Sequence, residues 1–268
     1  MVKRNGRARR LTAATARAVR PTCTWGEDMT FTRLLLTAAL SAAPGACVVG
    51  YSDGQAYSQS QRHSYAGFSR LEVYAGVDVV LAQGPFDVLA ETTGEANFDT
   101  LIVEVKGDSL HIGRRPSQAM GERTPRYRVT VSAPALSAIS VSGGADVSAA
   151  ALKAERLKLT ASGGADIEMS GARIGVLEAS ASGGGDIELA GACTHATLAA
   201  SGGGDISADA LTCDSVTAEA TGGGDIDISV GATAHGKASG GGDVRFLGSP
   251  TTYSRDVSGG GDVSLTAR

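Results

Sequence analysis

Large aromatic side chains are scarce in this 268-residue chain, which has 5 Phe, 6 Tyr and 1 Trp. That scarcity excludes a bulky globular core, so the 42% hydrophobic residues must build a narrow one from small aliphatics. The four cysteines include no Cys-x-x-Cys pair, and His63, His111, His195 and His235 are scattered without ligand spacing, so neither points to a metal or redox centre. No phosphate loop is present and no segment has helical apolar spacing. A basic excess is missing too. From Cys47 onward 16 Lys/Arg face 26 Asp/Glu, a net charge of −10, which argues against nucleic acid and against electrostatic attachment to anionic lipid.

The N-terminal apolar run, Leu34 to Leu40, is too short for a permanent transmembrane helix. With Arg33 before it and small residues at Ala43-Pro-Gly-Ala46 after it, the run has the form of a secretory signal over residues 29–46. Residues 1–28 carry seven Lys/Arg and no apolar pattern, and are expected to be a mis-called upstream extension, with Met29 the true start. Cys47 stands at the lipoprotein position, although Pro44-Gly45-Ala46 lacks the usual Leu three places before it, and is the candidate lipidation site. Residues 47–66, polar and without periodicity, are expected to be a tether.

Glycine is abundant, with 37 residues, and much of it falls in one phrase used seven times. Each use places Ser or Thr, then Gly-Gly and Ala or Gly, before an aspartate followed by Val or Ile. The aspartates are Asp146, Asp166, Asp186, Asp205, Asp225, Asp243 and Asp262, at steps of 20, 20, 19, 20, 18 and 19 residues. A fixed period of this size predicts stacked repeats. After each aspartate, apolar residues alternate with outward polar ones such as Glu168, Glu188, Asp227 and Arg245, and a second alternating segment precedes each phrase. Two short strands and two turns per repeat predict an all-β parallel β-solenoid of about 19-residue coils over residues 134–268. Residues 67–133 alternate apolar and polar residues between Gly, Asp and Asn turns, and predict a smaller β-rich N-terminal portion. The edge of the last coil is expected to be bare or covered by a neighbour, which makes it a candidate for self-association.

The glycines supply positive φ or close approach, and each aspartate is expected to accept a turn N–H. Stacking at about 4.8 Å then makes a carboxylate column, with repulsion of roughly 1 kcal/mol per neighbouring pair in water. The column is tolerable with solvation, hydrogen bonds or shared cations, so the seven aspartates are also a candidate calcium column. The phrase partly matches the Gly-Gly-x-Gly-x-Asp calcium repeat but lacks its later Gly and its nine-residue period. Cys193 and Cys213 each lie nine residues before the first Gly of the next phrase, which puts them at equivalent places in consecutive coils and within disulfide range. His195 and His235 are expected in the variable turns. Ser142, Ser162, Ser182, Ser201, Thr221, Ser239 and Ser258 form a hydroxyl column beside the glycines.

The block Phe68 to Gly84 with Val77-Asp-Val79, the block Gly94-Glu-Ala-Asn97 to Val105, the close Gly107-Asp-Ser-Leu110-His-Ile112 and the repeated Ser-Gly-Gly-Gly-Asp phrase together resemble the head GIN domain of autotransporter adhesins, over residues 68–268. The resemblance implies an exported bacterial β-solenoid with no catalytic residues and no cofactor to transfer. The expected function is a non-enzymatic envelope or cell-surface protein in the periplasm, the outer membrane or on the cell surface. It would present a rigid face to an unknown surface protein or glycan, and touch membrane only through a lipid on Cys47. The competing readings are a carbohydrate-active solenoid enzyme using aspartates of adjacent coils, and a calcium-stabilised structural module. Seven near-identical carboxylates offer little of the asymmetry that an acid and base pair needs.

Overall fold

A computed structural model describes residues 57–115 and 126–268. The upstream extension, the signal segment and Cys47 lie outside the described residues. In chain order the N-terminal strands are β1 (Gln59–His63), β2 (Arg70–Tyr74), β3 (Asp78–Gln83), β4 (Asp87–Thr92), β5 (Leu101–Lys106), β6 (Ser109–Arg114) and β7 (Tyr127–Ala133), with a 3-10 turn at Glu95–Asp99. The repeats give β8 (Ala138–Ser142), β9 (Asp146–Ala150), β10 (Lys153–Ser162), β11 (Asp166–Gly183), β12 (Ile187–Gly202), β13 (Ile206–Gly222), β14 (Ile226–Gly240), β15 (Val244–Gly248), β16 (Thr252–Gly259) and β17 (Val263–Thr266).

The chain is a β-solenoid. Segments before the glycine phrase stack in parallel from β2 through β8, β10, β11, β12, β13 and β14 to β16. Segments after the phrase stack from β3 through β9 and the starts of β11 to β14, to β15 and β17. The expectation of two separate strands per coil is corrected here. β11 to β14 are unbroken strands of 15 to 18 residues because pairing continues round the second corner. A third short ladder results, with Lys153, Arg173, Ala192 and Thr212 in one row and Ala154, Ile174, Cys193 and Cys213 in the next. Glycine-containing segments such as Ser170-Gly-Ala-Arg173 look like turns in isolation, yet equal coils lying parallel satisfy one another's backbone groups through the bend.

Side-chain size is complementary across the coil. Inward positions before the phrase are mostly Leu and Ala (Leu159, Ala161, Ala179, Ala181, Leu198, Ala200, Ala218, Ala220), whereas those after it are larger (Val147, Ile167, Met169, Ile187, Leu189, Ile226, Ile228), all buried. Small against large keeps the core thin and filled. The largest insert, Phe246, is accommodated by Gly236, where a Cβ would lie 2.7 Å from the ring and 2.5 Å from Val263.

The N-terminal portion is not a separate layer, because β2 and β3 belong to the same sheet as the repeats. The coil β2–β3 lies between two others that are later in sequence. β6 and β7 pair with its outer side and β8 and β9 with its inner side, all parallel. Antiparallel strands then close this end, with β5 on β6, β4 on β7 and β1 on β4. β1 falls within the segment expected to be a tether. Its residues, Gln-Ser-Gln-Arg-His, are almost wholly exposed on both faces and so carry no apolar alternation. It is held by backbone pairing from Gln59–Thr92 to His63–Val88 and by the Arg62–Asp87 ion pair.

At the opposite end, two side chains of β16 bond a carbonyl of β17. The Val244 N–H donates to the Asp262 carbonyl at 2.9 Å, so the alternation of a parallel ladder turns the Val263 carbonyl away from β15. Tyr253 Oη and Arg255 Nη1 both donate to that carbonyl, at 3.0 and 3.3 Å. Arg255 is in register with buried Gly236, and so is a charge placed at an inward position of the last coil. Charges so placed discourage a further strand from adding to an edge. The exposed large apolar side chains among the described residues, Val257 and Leu265, lie on this coil.

Candidate functional site

The glycine phrase adopts two turn shapes. In the first two copies both leading glycines have positive φ, +66° and +71° at Gly143 and Gly144, +65° and +76° at Gly163 and Gly164, and the third residue is a buried alanine, Ala145 or Ala165. From Gly183 onward only the first glycine of each triplet has positive φ. The third then presses on the coil before it, where a Cβ on Gly204, Gly224, Gly242 or Gly261 would lie 2.7, 2.5, 2.4 and 2.1 Å from the carbonyl oxygens of Gly185, Gly204, Gly224 and Gly242. Both reasons for glycine operate in one phrase, the first at its first position and the second at its third.

Turn shape decides what holds the aspartates. Where the coil before carries an alanine turn, the Asp166 and Asp186 N–H groups donate to the Ala145 and Ala165 carbonyls at 3.2 and 3.1 Å, and the Asp186 N–H also reaches Asp166 Oδ1 at 3.4 Å. Where the coil before carries a glycine turn, the preceding aspartate's carboxylate replaces the turn carbonyl as acceptor, at shorter distances. Asp205 N–H donates to Asp186 Oδ1 at 3.0 Å, Asp225 to Asp205 at 2.8 Å, Asp243 to Asp225 at 2.8 Å and Asp262 to Asp243 at 2.7 Å. A carboxylate accepting a turn N–H is the expected role. The donor, however, is the next coil's aspartate and not the residue's own turn, because the column brings each backbone N–H under the carboxylate before it. These charge-assisted bonds oppose the like-charge repulsion along the column.

Sequence reasoning left out one member. Asp78 is in register with Asp146, and Gly76-Val-Asp78-Val79 has the same spacing as Gly144-Ala-Asp146-Val147, a signal that could have found it. Burial raises the Asp146 pKa above the ordinary carboxylate range, and the charges of Asp78 and Asp166 add to this. Burial also raises the Asp78 pKa, opposed by Arg128 and Arg126. Among the described residues no group of three or more His, Cys, Asp or Glu side chains comes together to hold a metal ion.

The hydroxyl column is in register from Ser142 to Ser258. Beside the aspartates, Glu168 and Glu188 are exposed neighbours on adjacent coils, whereas Asp227 is paired with Arg245. Burial raises the Asp227 pKa, and Arg245 opposes the rise. Further ion pairs, Lys158–Glu178 and Lys237–Glu219, cross between coils on the face before the phrase. His195 and His235 stand within strands and not in turns, because the strands run through the second corner. His111 lies 3.1 Å from Glu72, and the Nε2 of His63 is buried without a hydrogen-bond partner among the described residues.

Cys193 and Cys213 are register partners on β12 and β13 and form a disulfide with Cα atoms 4.5 Å apart. Above them runs an open groove of about 790 Å³, with Arg173, Thr194, Thr212 and Asp214 among its lining residues.

The family described as "Putative auto-transporter adhesin, head GIN domain" matches residues 67–250, which include the inserted first coil and all of the glycine phrases but the last. The chain belongs to this family. The GIN domain is also similar in fold to several solved structures. One, a putative adhesin from Bacteroides fragilis, shares 22% identity with a TM-score of 0.69, covering 78% of this chain and 96% of that one. A putative lipid binding protein from Parabacteroides distasonis shares 16% identity with a TM-score of 0.58, over 78% and 96%. A putative adhesin from Parabacteroides merdae shares 17% with a TM-score of 0.58, over 78% and 95%. At these identities the likeness is one of fold. No curated protein matches the sequence.

Proposed function

We propose that this GIN domain is a non-enzymatic exported module that presents the outward rows of its solenoid to a surface protein or glycan. The observation that carries this reading is the aspartate ladder. From Asp186 to Asp243 each carboxylate holds the next coil's backbone, so the column is structural and the outward side chains are the surface left for a partner. The family description as an adhesin and the Cys193–Cys213 bridge, a bond that persists in oxidising compartments, support export. Cys47 would anchor the chain to a membrane if lipidated, leaving the solenoid in the periplasm, on the outer membrane or on the cell surface. A glycan-array screen paired with a reducing-sugar release assay tests the reading, with binding and no turnover expected. Release of sugar ends would replace it with an enzyme. Extraction of native protein and its accessibility to external protease locate it.

A further inference from the structure

The charges of the repeat region are not evenly matched. Of its cations, Lys158, Lys237, Arg245 and Arg255 have carboxylate partners within 4 Å, and Arg268 donates to the Asp209 carbonyl. Among the described residues Lys153, Arg156 and Arg173 have no such partner; Lys153 and Arg173 are direct register neighbours in the third ladder, and Arg156 follows just after it, paired with Val176. Arg173 lines the groove over the disulfide, together with Thr194, Thr212 and Asp214, all exposed. The groove exists because the middle of the ladder is built from small residues. Gly175 and Gly191 have no side chains, Ala192 follows Arg173 in the outward row, and Ala172 and Ile174 turn their side chains into the core.

We propose that this groove binds an acidic sugar unit, with its carboxylate on Arg173 and its hydroxyls on Thr194, Thr212 and Asp214. The inference rests on the surface-binding reading above and names the ligand class. A guanidinium fork matches a carboxylate in two parallel hydrogen bonds. The Thr hydroxyls donate and accept, and the Asp214 carboxylate accepts only, which suits sugar hydroxyls and repels a ligand that is anionic throughout, such as a polyphosphate. The Ala192 methyl and the glycine backbones leave room for the C–H surface of a ring, and the groove's volume lies within the range of small-molecule sites.

The test is titration of the full exported chain, at low salt, with trigalacturonate and with its methyl ester, which keeps the ring and loses the charge. The acid is expected to bind and the ester to bind at least about tenfold more weakly. Arg173→Ala should reduce binding of the acid by about tenfold or more, and Arg173→Lys should restore part of it. The thermal midpoint of both variants should match that of the parent, since Arg173 has no side-chain partner among the described residues. Equal binding of acid and ester, or wild-type binding by Arg173→Ala, overturns the proposal. If the chain binds other glycans on an array and Arg173→Ala leaves that binding intact, this site is wrong and the surface-binding reading stands. Binding to nothing on the array and no binding of trigalacturonate removes both.

Discussion

Replacing Asp205 by Asn and, separately, by Ala divides the two parts its carboxylate plays. Asp205 accepts the Asp225 N–H at 2.8 Å and lies between the carboxylates of Asp186 and Asp225. Coils about 4.8 Å apart give roughly 1 kcal/mol of repulsion per neighbour in water, so removing the charge relieves about 2 kcal/mol. A hydrogen bond to a charged acceptor contributes roughly 1.5–3 kcal/mol and one to a neutral acceptor about 1 kcal/mol. Asn keeps an acceptor and should come out about 0.5–1 kcal/mol more stable than the parent. Ala loses the bond altogether and should lie near the parent, about 1 kcal/mol below Asn. In about 0.5 M salt most of the repulsion is screened and the weaker hydrogen bond remains, so Asn should fall about 0.5–1 kcal/mol below the parent and Ala about 1 kcal/mol below Asn. Urea midpoints at low and high salt measure all four shifts. A strongly destabilised Asn variant at low salt would refute the reasoning, because the charge would then be needed, as it is when carboxylates share a cation. A rise in melting temperature on adding about 1 mM calcium after chelator treatment would point the same way.

Asp146 has a raised folded pKa, so the native state binds the extra proton and stability should fall as pH rises from the ordinary carboxylate value through the folded one. Asp146→Asn should remove that slope and be more stable at neutral pH, as read by thermal midpoints between about pH 4 and 7. Reducing the Cys193–Cys213 bridge reopens a 20-residue loop and should cost about 3 kcal/mol, as the shift between Cys193→Ser and parent in denaturant will show. Gly224→Ala places a Cβ 2.5 Å from the Gly204 carbonyl and should destabilise by roughly 1–3 kcal/mol, whereas Gly203→Ala, with 3.5 Å to the nearest atom, should cost less. Arg255→Val removes the charge at an inward position of the last coil and should increase pairing of copies at that end, visible as faster sedimentation than the parent's. Unchanged sedimentation would show that the other end-coil contacts suffice.

The aspartate period of 18 to 20 residues already determines much of this molecule. It sets the coil length, the inward and outward rows, the hydroxyl column and the matching places of Cys193 and Cys213, because in a parallel stack each residue's neighbour is the one a period away. Whatever lies outside the period was settled by tertiary structure. The slip of the β2–β3 coil between later strands and the closing antiparallel strands pair segments with no common spacing, and β1 has no apolar pattern because neither of its faces is buried. The third ladder reads locally as turns and becomes strand only when equal coils lie side by side. The partner of each carboxylate depends on which way a glycine turn points its carbonyl, which is a matter of backbone angles that Gly permits but does not choose. The placing of Arg173 at a groove with Lys153 as its neighbour is likewise a product of stacking, since the two meet only when one coil is laid on the next.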